Sequence, residues 1–295
     1  MASQTKEKKK PRPKVVAVII EGESEFDALH YQLEEFLDGF GLIPVFCLMY
    51  KKNEDPGGDI TSRSGVKPEN LDQKISQYLI CPSLRNYGIL ESDIVSVVQI
   101  VDTDGAFISD DHIQVVKELE HPEEHKSFEY YADHIKALNL NNAIVRNLNK
   151  STNLRALTEK KQINIYCYTR ALSGIEDNQT KDPRYEKLMQ EIPLIKSVPY
   201  FIYFYSCNFD HFTCGERNLP RADKTKKAGL FSSRIAPDLD GLKRHFNKHP
   251  GTLKGKTHRE SWEFIAKDLN SLQQFTNVHL LLEMKAEDFR GPEEE

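Results

Sequence analysis

"VVAVIIEGESE", residues 15–25, is the stretch that decides the fold. Val15 to Ile20 is continuously apolar and largely β-branched, the pattern of a parallel strand covered on both faces. It runs straight into Glu21, Glu23 and Glu25, three carboxylates within five residues. A helix is expected at once. Ser24 with Asp27 fits the capping-box pattern, and Phe26, Leu29, Leu33, Phe36, Leu37 and Phe40 recur at helical spacing, with Gly39 and Gly41 at its end.

Outward from this unit, "LIPVFCLMY" (42–50) reads as a second strand and "NEDPGGDITSRSG" (53–65) as a loop. A helix over 69–80 follows Pro68, and "DIVSVVQIVDTDGAF" (93–107) is a third strand that again ends in acids, Asp102 and Asp104. The βαβαβ order implies right-handed crossovers and a parallel sheet. Residues 109–197 are polar, with helical fragments at 112–120, 127–138 and 183–191, and read as a helical insertion beside the sheet. "VPYFIYFYS" (198–206) resumes the strand pattern and "CNFDHFTCGE" (207–216) turns into a helix. Further helices are expected at 237–247 and 259–274, and "NVHLLLEM" (277–284) as a last strand. The chain divides into a disordered basic arm (1–14), a first part of an α/β core (15–108), the insertion (109–197) and the remainder of the core with C-terminal helices (198–290).

Composition narrows the function. With 295 residues the chain can bury a full core, and no apolar run approaches the ~20 residues of a membrane span, so a soluble, cytoplasmic protein without a membrane partner is expected. Five scattered cysteines argue against a disulfide framework. The net charge of −5 conceals segregation: Lys243 to Arg259, seventeen residues, contains no acid. Lys248, Lys254, Lys256 and Arg259 in that stretch are candidates for holding a phosphate backbone, and Arg221, Lys224, Lys226 and Lys227 could extend it.

Two apolar strands that end in acids present them at one edge of a parallel sheet, the edge where open α/β sheets bind ligands. Carboxylates gathered there repel one another unless a hard cation lies between them, and Mg²⁺ or Mn²⁺ is the simplest partner.

These residues resemble the Toprim-type catalytic domain, in particular the version in OLD-like nucleases and related phage-defence effectors. "IIEGESE" looks like the OLD-type E-G-x-S-E motif, "VQIVDTDG" resembles the strand ending in D-x-D, and "FYSCNFDHF" is similar to a further acidic position. The resemblance implies a Toprim-like, mostly parallel sheet flanked by helices. It implies Glu21 as a catalytic acid/base or metal-binding group, Glu25 as a catalytic residue that assists a metal, and Asp102, Asp104 and Asp210 as metal ligands. The chemistry implied is Mg²⁺- or Mn²⁺-dependent cleavage of phosphodiesters in DNA, tRNA or other RNA, in abortive infection against phage. An ABC- or SMC-type ATPase partner and an oligomeric assembly belong to the same expectation.

The same residues admit other readings. A catalytically silent Toprim-like binding or sensor module is the main alternative. "VDTDG" also resembles the first motif of HAD phosphatases, with Asp102 as nucleophile, but that leaves "EGESE" unexplained and no later G-D pair follows residue 59. "GTLKGKT" (251–257) has three residues between its glycines where a phosphate-binding loop needs four. Cys207, His211 and Cys214 lack the paired spacing of a zinc site and read as a packed helix.

Overall fold

The computed structural model describes residues 13–48, 59–123, 126–159 and 198–290. The opening unit forms as its pattern demands: β1 (Val15–Ile19) leads into α1 (Glu23–Asp38) and then β2 (Ile43–Cys47). Gly22 is the N-cap of α1, in place of the expected Ser24, and no side chain caps that end. α2 (Leu71–Ile75) passes through a wider helical turn, Ser76–Ile80, into α3 (Cys81–Tyr87), so the helix expected over 69–80 runs on to Tyr87. β3 (Ile94–Asp102) ends at the expected acid.

Two of the expected helical fragments are instead strands. Residues 112–120 hold β4 (Ile113–Val115), and 127–138 hold β5 (Phe128–Tyr130) and β6 (Ile135–Ala137), in a small sheet ordered β4-β6-β5. Glu129, fully buried, accepts the backbone N–H groups of Glu120 and His121 at 3.0 and 2.6 Å, which ties those two residues to β5 and competes with a helix. A long helix follows, α4 (Leu140–Glu159). The described part of the insertion is therefore mixed sheet and helix. The fragment at 183–191, most of the basic arm and Cys167 lie outside the described residues.

After β7 (Tyr200–Tyr205) come α5 (Phe209–Cys214), α6 (Arg221–Leu230), α7 (Leu239–Lys248), α8 (His258–Ile265) and α9 (Ala286–Arg290). α8 stops well short of 274, where Asn270 Nδ2 donates to the Phe264 carbonyl at 2.9 Å. The expected last strand is a tight helical turn, Val278–Glu283, whose buried Val278, Leu281 and Leu282 follow helical and not alternating spacing. The β7 edge is closed by other means: Trp262 Nε1 donates to the Ile202 carbonyl, Asn277 Oδ1 accepts from the Phe204 N–H, and Thr276 Oγ1 donates to the Phe204 carbonyl. With these groups satisfied by side chains, the outer edge of β7 keeps only an isolated antiparallel bridge, Tyr205 with Thr276, and no longer ladder.

The main sheet is ordered β2-β1-β3-β7, and every pair in it is parallel. β1 is buried on both faces, as its composition requires. Val15, Ala17 and Ile19 pack with α2, α3, the end of α4 and Trp262; Val16, Val18 and Ile20 pack with α1, α6 and α7. Among the described residues no helix is long and apolar enough to cross a membrane, and Cys47, Cys81, Cys207 and Cys214 are free thiols.

The second core carries a pH-sensitive group. His245 packs edge-on to Phe212 and Phe231 at 5.6 and 5.1 Å between centroids, and lies 5.4 Å from His249. Burial, aided by His249, pulls His245 down to about 4. The native state thus binds fewer protons than the unfolded chain below the ordinary value of about 6.5, so the stability that neutral His245 supplies is full above that pH and is lost on descent toward about 4. His245→Phe, which keeps the ring packing, should show a shallower fall in melting temperature than the unaltered chain across that window. Parallel curves for the two proteins would refute the assignment.

Candidate active site

β1 leads through α1 to β2 on one side, and the chain then crosses the opposite face to enter β3 on the other side of β1. The connections leaving β1 and β3 part at their carboxyl ends, the switch point at which open α/β sheets bind ligands. Glu21 and Asp102 sit there. Glu21 Oε1 accepts the backbone N–H of Asp102 at 3.0 Å, so the two strand-end acids meet as the sequence led us to expect.

Beyond Asp102 the chain makes a constrained turn. Thr103 and Asp104 donate their backbone N–H groups to the carbonyls of Tyr205 and Cys207 at 2.9 and 2.7 Å, and the Thr103 hydroxyl donates to the Ser271 carbonyl. Asp104 is left-handed (φ 50°), a conformation that aspartate tolerates better than most residues, and Gly105 follows at φ 69°. A Cβ on Gly105 would lie 2.7 Å from Leu272 Cδ2 and 2.9 Å from Ile135 Cδ1. The turn thereby aims the Asp104 carboxylate back toward α4.

α4 answers it with two cations one helical turn apart. Arg146 Nη2 reaches Asp104 Oδ2 at 2.6 Å, and Lys150 Nζ reaches the same oxygen at 2.8 Å. Lys150, whose side chain is 1 % exposed, also lies 2.9 Å from Asp59 Oδ2 and 3.7 Å from Glu21 Oε1. Asp59 is fixed by its own local turn, since Oδ1 accepts from the Thr61 N–H and hydroxyl at 2.7 and 2.6 Å. Glu21, Asp59 and Asp104 offer ligand atoms within 4.8 Å of one another, a spacing that suits a metal ion as well as an ammonium.

A second group of acids lies on the α5 side. Asp102 Oδ1 accepts the Phe209 N–H at 2.8 Å, at the start of α5, and Asp210 in that helix pairs with Lys224 of α6 at 2.7 Å. Glu25, in the first turn of α1, is 9 % exposed and close enough to Asp102 and Asp210 for each to act on its charge. Gly22 makes room for it: a Cβ there would stand 2.9 Å from Glu25 Oε2.

Protonation separates the two groups. Burial pushes Glu21, Glu25 and Asp102 above the ordinary carboxylate range, and mutual repulsion adds to the rise. Burial acts on Asp104 in the same direction, but the charges and hydrogen bonds of Lys150 and Arg146 outweigh it and hold Asp104 well below that range. Lys150 and Lys224 remain charged despite burial, because their acidic neighbours raise both above the ordinary lysine value.

All five acids named from the sequence, Glu21, Glu25, Asp102, Asp104 and Asp210, therefore gather at one end of the sheet. The four cations named for nucleic acid do not join them. Lys254 donates to the Asn247 carbonyl, Lys256 sits 5.0 Å above the Phe264 ring, Arg259 pairs with Glu263 at 2.7 Å, and Lys248 ends α7. Cys207, His211 and Cys214 form no metal-capable group among the described residues. Sequence reasoning missed Asp59, Arg146 and Lys150. The spacing of Arg146 and Lys150, four residues apart on a helix, was a readable signal once α4 was recognised.

Fold and site together define an α/β protein with a mostly parallel sheet, whose carboxyl edge carries six carboxylates answered by three cations. No family model matches the sequence, and no curated protein or solved structure matches it either.

The Asp104 turn offers a direct check on this construction. Gly105→Ala should lower stability by about 1–3 kcal/mol, because a left-handed residue gains a side chain that collides with Leu272 and Ile135. Urea unfolding followed by circular dichroism measures it. An unchanged midpoint would mean that the turn relaxes without loss.

Proposed function

We propose that this chain is a divalent-metal-dependent nuclease of the Toprim type, which hydrolyses phosphodiesters of DNA, tRNA or other RNA. The observation that carries the reading is the meeting of Glu21 and Asp102 at the switch point of the sheet, with Glu25, Asp104 and Asp210 beside them. Buried carboxylates held above their ordinary protonation range at one sheet edge form an all-oxygen donor set suited to Mg²⁺ or Mn²⁺. Glu21, Asp59 and Asp104, whose ligand atoms lie within 4.8 Å of one another, would hold the ion, with Asp102 and Asp210 beside them; when bound it would neutralise phosphate charge and lower the pKa of a water.

The chain's own groups have separate tasks in this reading. Glu21 or Glu25, whichever does not hold the ion, would accept the proton of the attacking water, its proton affinity raised by burial. Arg146 and Lys224, 25 % and 42 % exposed along their side chains and paired with Asp104 and Asp210, would turn to phosphate oxygens when substrate binds. The biological setting, an effector of anti-phage defence released by an ATPase partner, rests on the resemblance of "EGESE" and "DTDG" to OLD-type motifs. The catalytically silent alternative draws its support from Lys150, which already neutralises part of the acidic cluster.

Purified protein incubated with plasmid DNA and with tRNA in Mg²⁺ or Mn²⁺ should cleave at least one of them, and EDTA should stop it. Glu21→Gln keeps an acceptor for the Asp102 N–H and should reduce cleavage by about 10²–10⁴-fold with the fold intact. Equal cleavage in EDTA, or by the variant, would refute the reading, and binding without cleavage would favour the silent module.

The basic stretch is tested separately. Replacing Lys248, Lys254, Lys256 and Arg259 with alanine, in the Glu21→Gln background, should weaken nucleic-acid binding. The salt dependence should fall by a slope of about 0.9 per lost contact on duplex DNA or about 0.7 on single strands. Superimposable salt titrations would make the stretch an ordinary solvated face.

A further inference from the structure

Lys150 fits the place it fills only in part. Its Nζ makes a directed hydrogen bond to Asp104 Oδ2 at 2.8 Å. Asp59 Oδ2 lies 2.9 Å from the same nitrogen but accepts no hydrogen bond among the described residues, although the Asp59 side chain is only 5 % exposed. Glu21 Oε1 stands off at 3.7 Å. An ammonium must aim its N–H bonds at acceptors, and here one acceptor is off its axis and another out of reach. A divalent cation has no such bonds to aim. It binds carboxylate oxygens that converge on a point and completes its shell with water, and the oxygens of Glu21, Asp59 and Asp104 lie within 4.8 Å of one another.

The surroundings let the ammonium withdraw while the acids stay in place. Arg146 holds the same Asp104 oxygen at 2.6 Å and lies over the Phe128 ring at 5.2 Å, so Asp104 keeps a counter-charge without Lys150. Glu21 is fixed by the Asp102 N–H, and Asp59 by the Thr61 N–H and hydroxyl. α4 is fixed on both flanks of Lys150. Asn147 Nδ2 donates to the Ile108 carbonyl at 3.1 Å, and Asn153 Nδ2 donates to the carbonyls of Thr61 and Val66 at 2.8 and 3.3 Å. An exchange of cations therefore falls on the flexible stem of one lysine.

We infer that a divalent ion and the Lys150 ammonium are alternative occupants of the Glu21, Asp59 and Asp104 group, so that Lys150 is a built-in competitor that sets how tightly the chain holds its ion. This deepens the metal-dependent reading and rests on it. Asp59, which the sequence motifs do not include, is a ligand whenever the ion is bound. The ion has to displace a side chain that is 1 % exposed, and its apparent affinity is reduced in proportion to the fraction of molecules in which Lys150 has withdrawn.

The test is Mn²⁺ binding to the full chain, measured by calorimetry and by electron paramagnetic resonance, on the unaltered protein and on Lys150→Met, which keeps the length of the side chain and loses its charge. Lys150→Met should bind Mn²⁺ about tenfold or more tightly than the unaltered chain. It should also melt lower in EDTA and recover with Mn²⁺. Adding Asp59→Asn to Lys150→Met should remove about tenfold or more of that affinity, because a carboxylate ligand is lost. Should Lys150→Met fail to fold, the unaltered chain gives a second readout. Acylation of Lys150 by a succinimidyl ester, followed by peptide mass spectrometry, should be slight in EDTA and rise several-fold at saturating Mn²⁺, with the exposed Lys226 as a constant reference. Equal affinity in the two proteins, or a Lys150 that stays protected with the ion bound, would overturn the inference and leave the metal reading standing. Binding by Lys150→Met alone would bear out the competition while overturning the metal-dependent reading of the unaltered chain. No binding by either would overturn both.

Discussion

The structure turns on one problem in electrostatics: acids collected at the carboxyl edge of a parallel sheet must be kept together out of water. Glu21 and Asp102 are brought within hydrogen-bonding reach by the parallel pairing of β1 with β3, and that pairing is imposed by apolar residues buried on both faces. The hydrophobic effect drives the strands together without regard to the charges at their ends. Lys150 resolves much of the resulting repulsion. Removing one partner of a buried ion pair typically costs about 3–5 kcal/mol, against about 0–1 kcal/mol for a surface pair such as Arg259 with Glu263. The contrast explains why the decisive cation sits on α4 and not in the exposed basic stretch.

How much of this could be read from the sequence follows from the kind of pattern each element carries. β1, α1, β2 and β3 were legible because their buried positions are apolar, and apolar periodicity reports burial directly. α4 was not legible. Its buried positions include Lys150 and Asn153 beside Ala143, Leu154 and Leu157, so polar residues occupy the face that a periodicity argument expects to be apolar. The same cause hid Asp59, in a polar loop far along the chain, whose burial depends on Asn153 holding Thr61 and Val66. Part of the site was thus visible as motifs, Glu21 with Asp102 and Asp104. Its counter-charges were invisible because they are polar groups at positions where a periodicity argument expects apolar ones.

The misread C-terminal segment makes the complementary point. "NVHLLLEM" is apolar enough for a strand, yet a strand needs a partner edge, and β7 has its outer carbonyls and amides taken by Trp262, Thr276 and Asn277. Composition says that a segment will be buried; the competition for backbone hydrogen bonds says how. In residues 109–139 the balance ran the other way, because a buried carboxylate, Glu129, gathers loop amides and favours short strands over helix.

These constraints also order events. Zinc fingers need their metal in order to fold, because the ion supplies what a small core cannot. Here the apolar core is complete on both faces of the sheet, and Lys150, Arg146 and Lys224 supply positive charge from within the chain. Folding therefore has no need to wait for an ion. What the chain leaves unmet is confined to the acids that gain least from its own cations, Glu21, Glu25 and Asp102, whose carboxyls burial and mutual repulsion hold toward the protonated form. Any cation brought near those carboxyls would favour their charged form and so oppose the effect of burial. Where the chain does supply enough charge of its own, at Asp104, the carboxylate is ionised from the outset. The division between the two acidic groups is thus a division between a carboxylate that the chain's own cations keep charged and carboxyls that burial holds toward the neutral form.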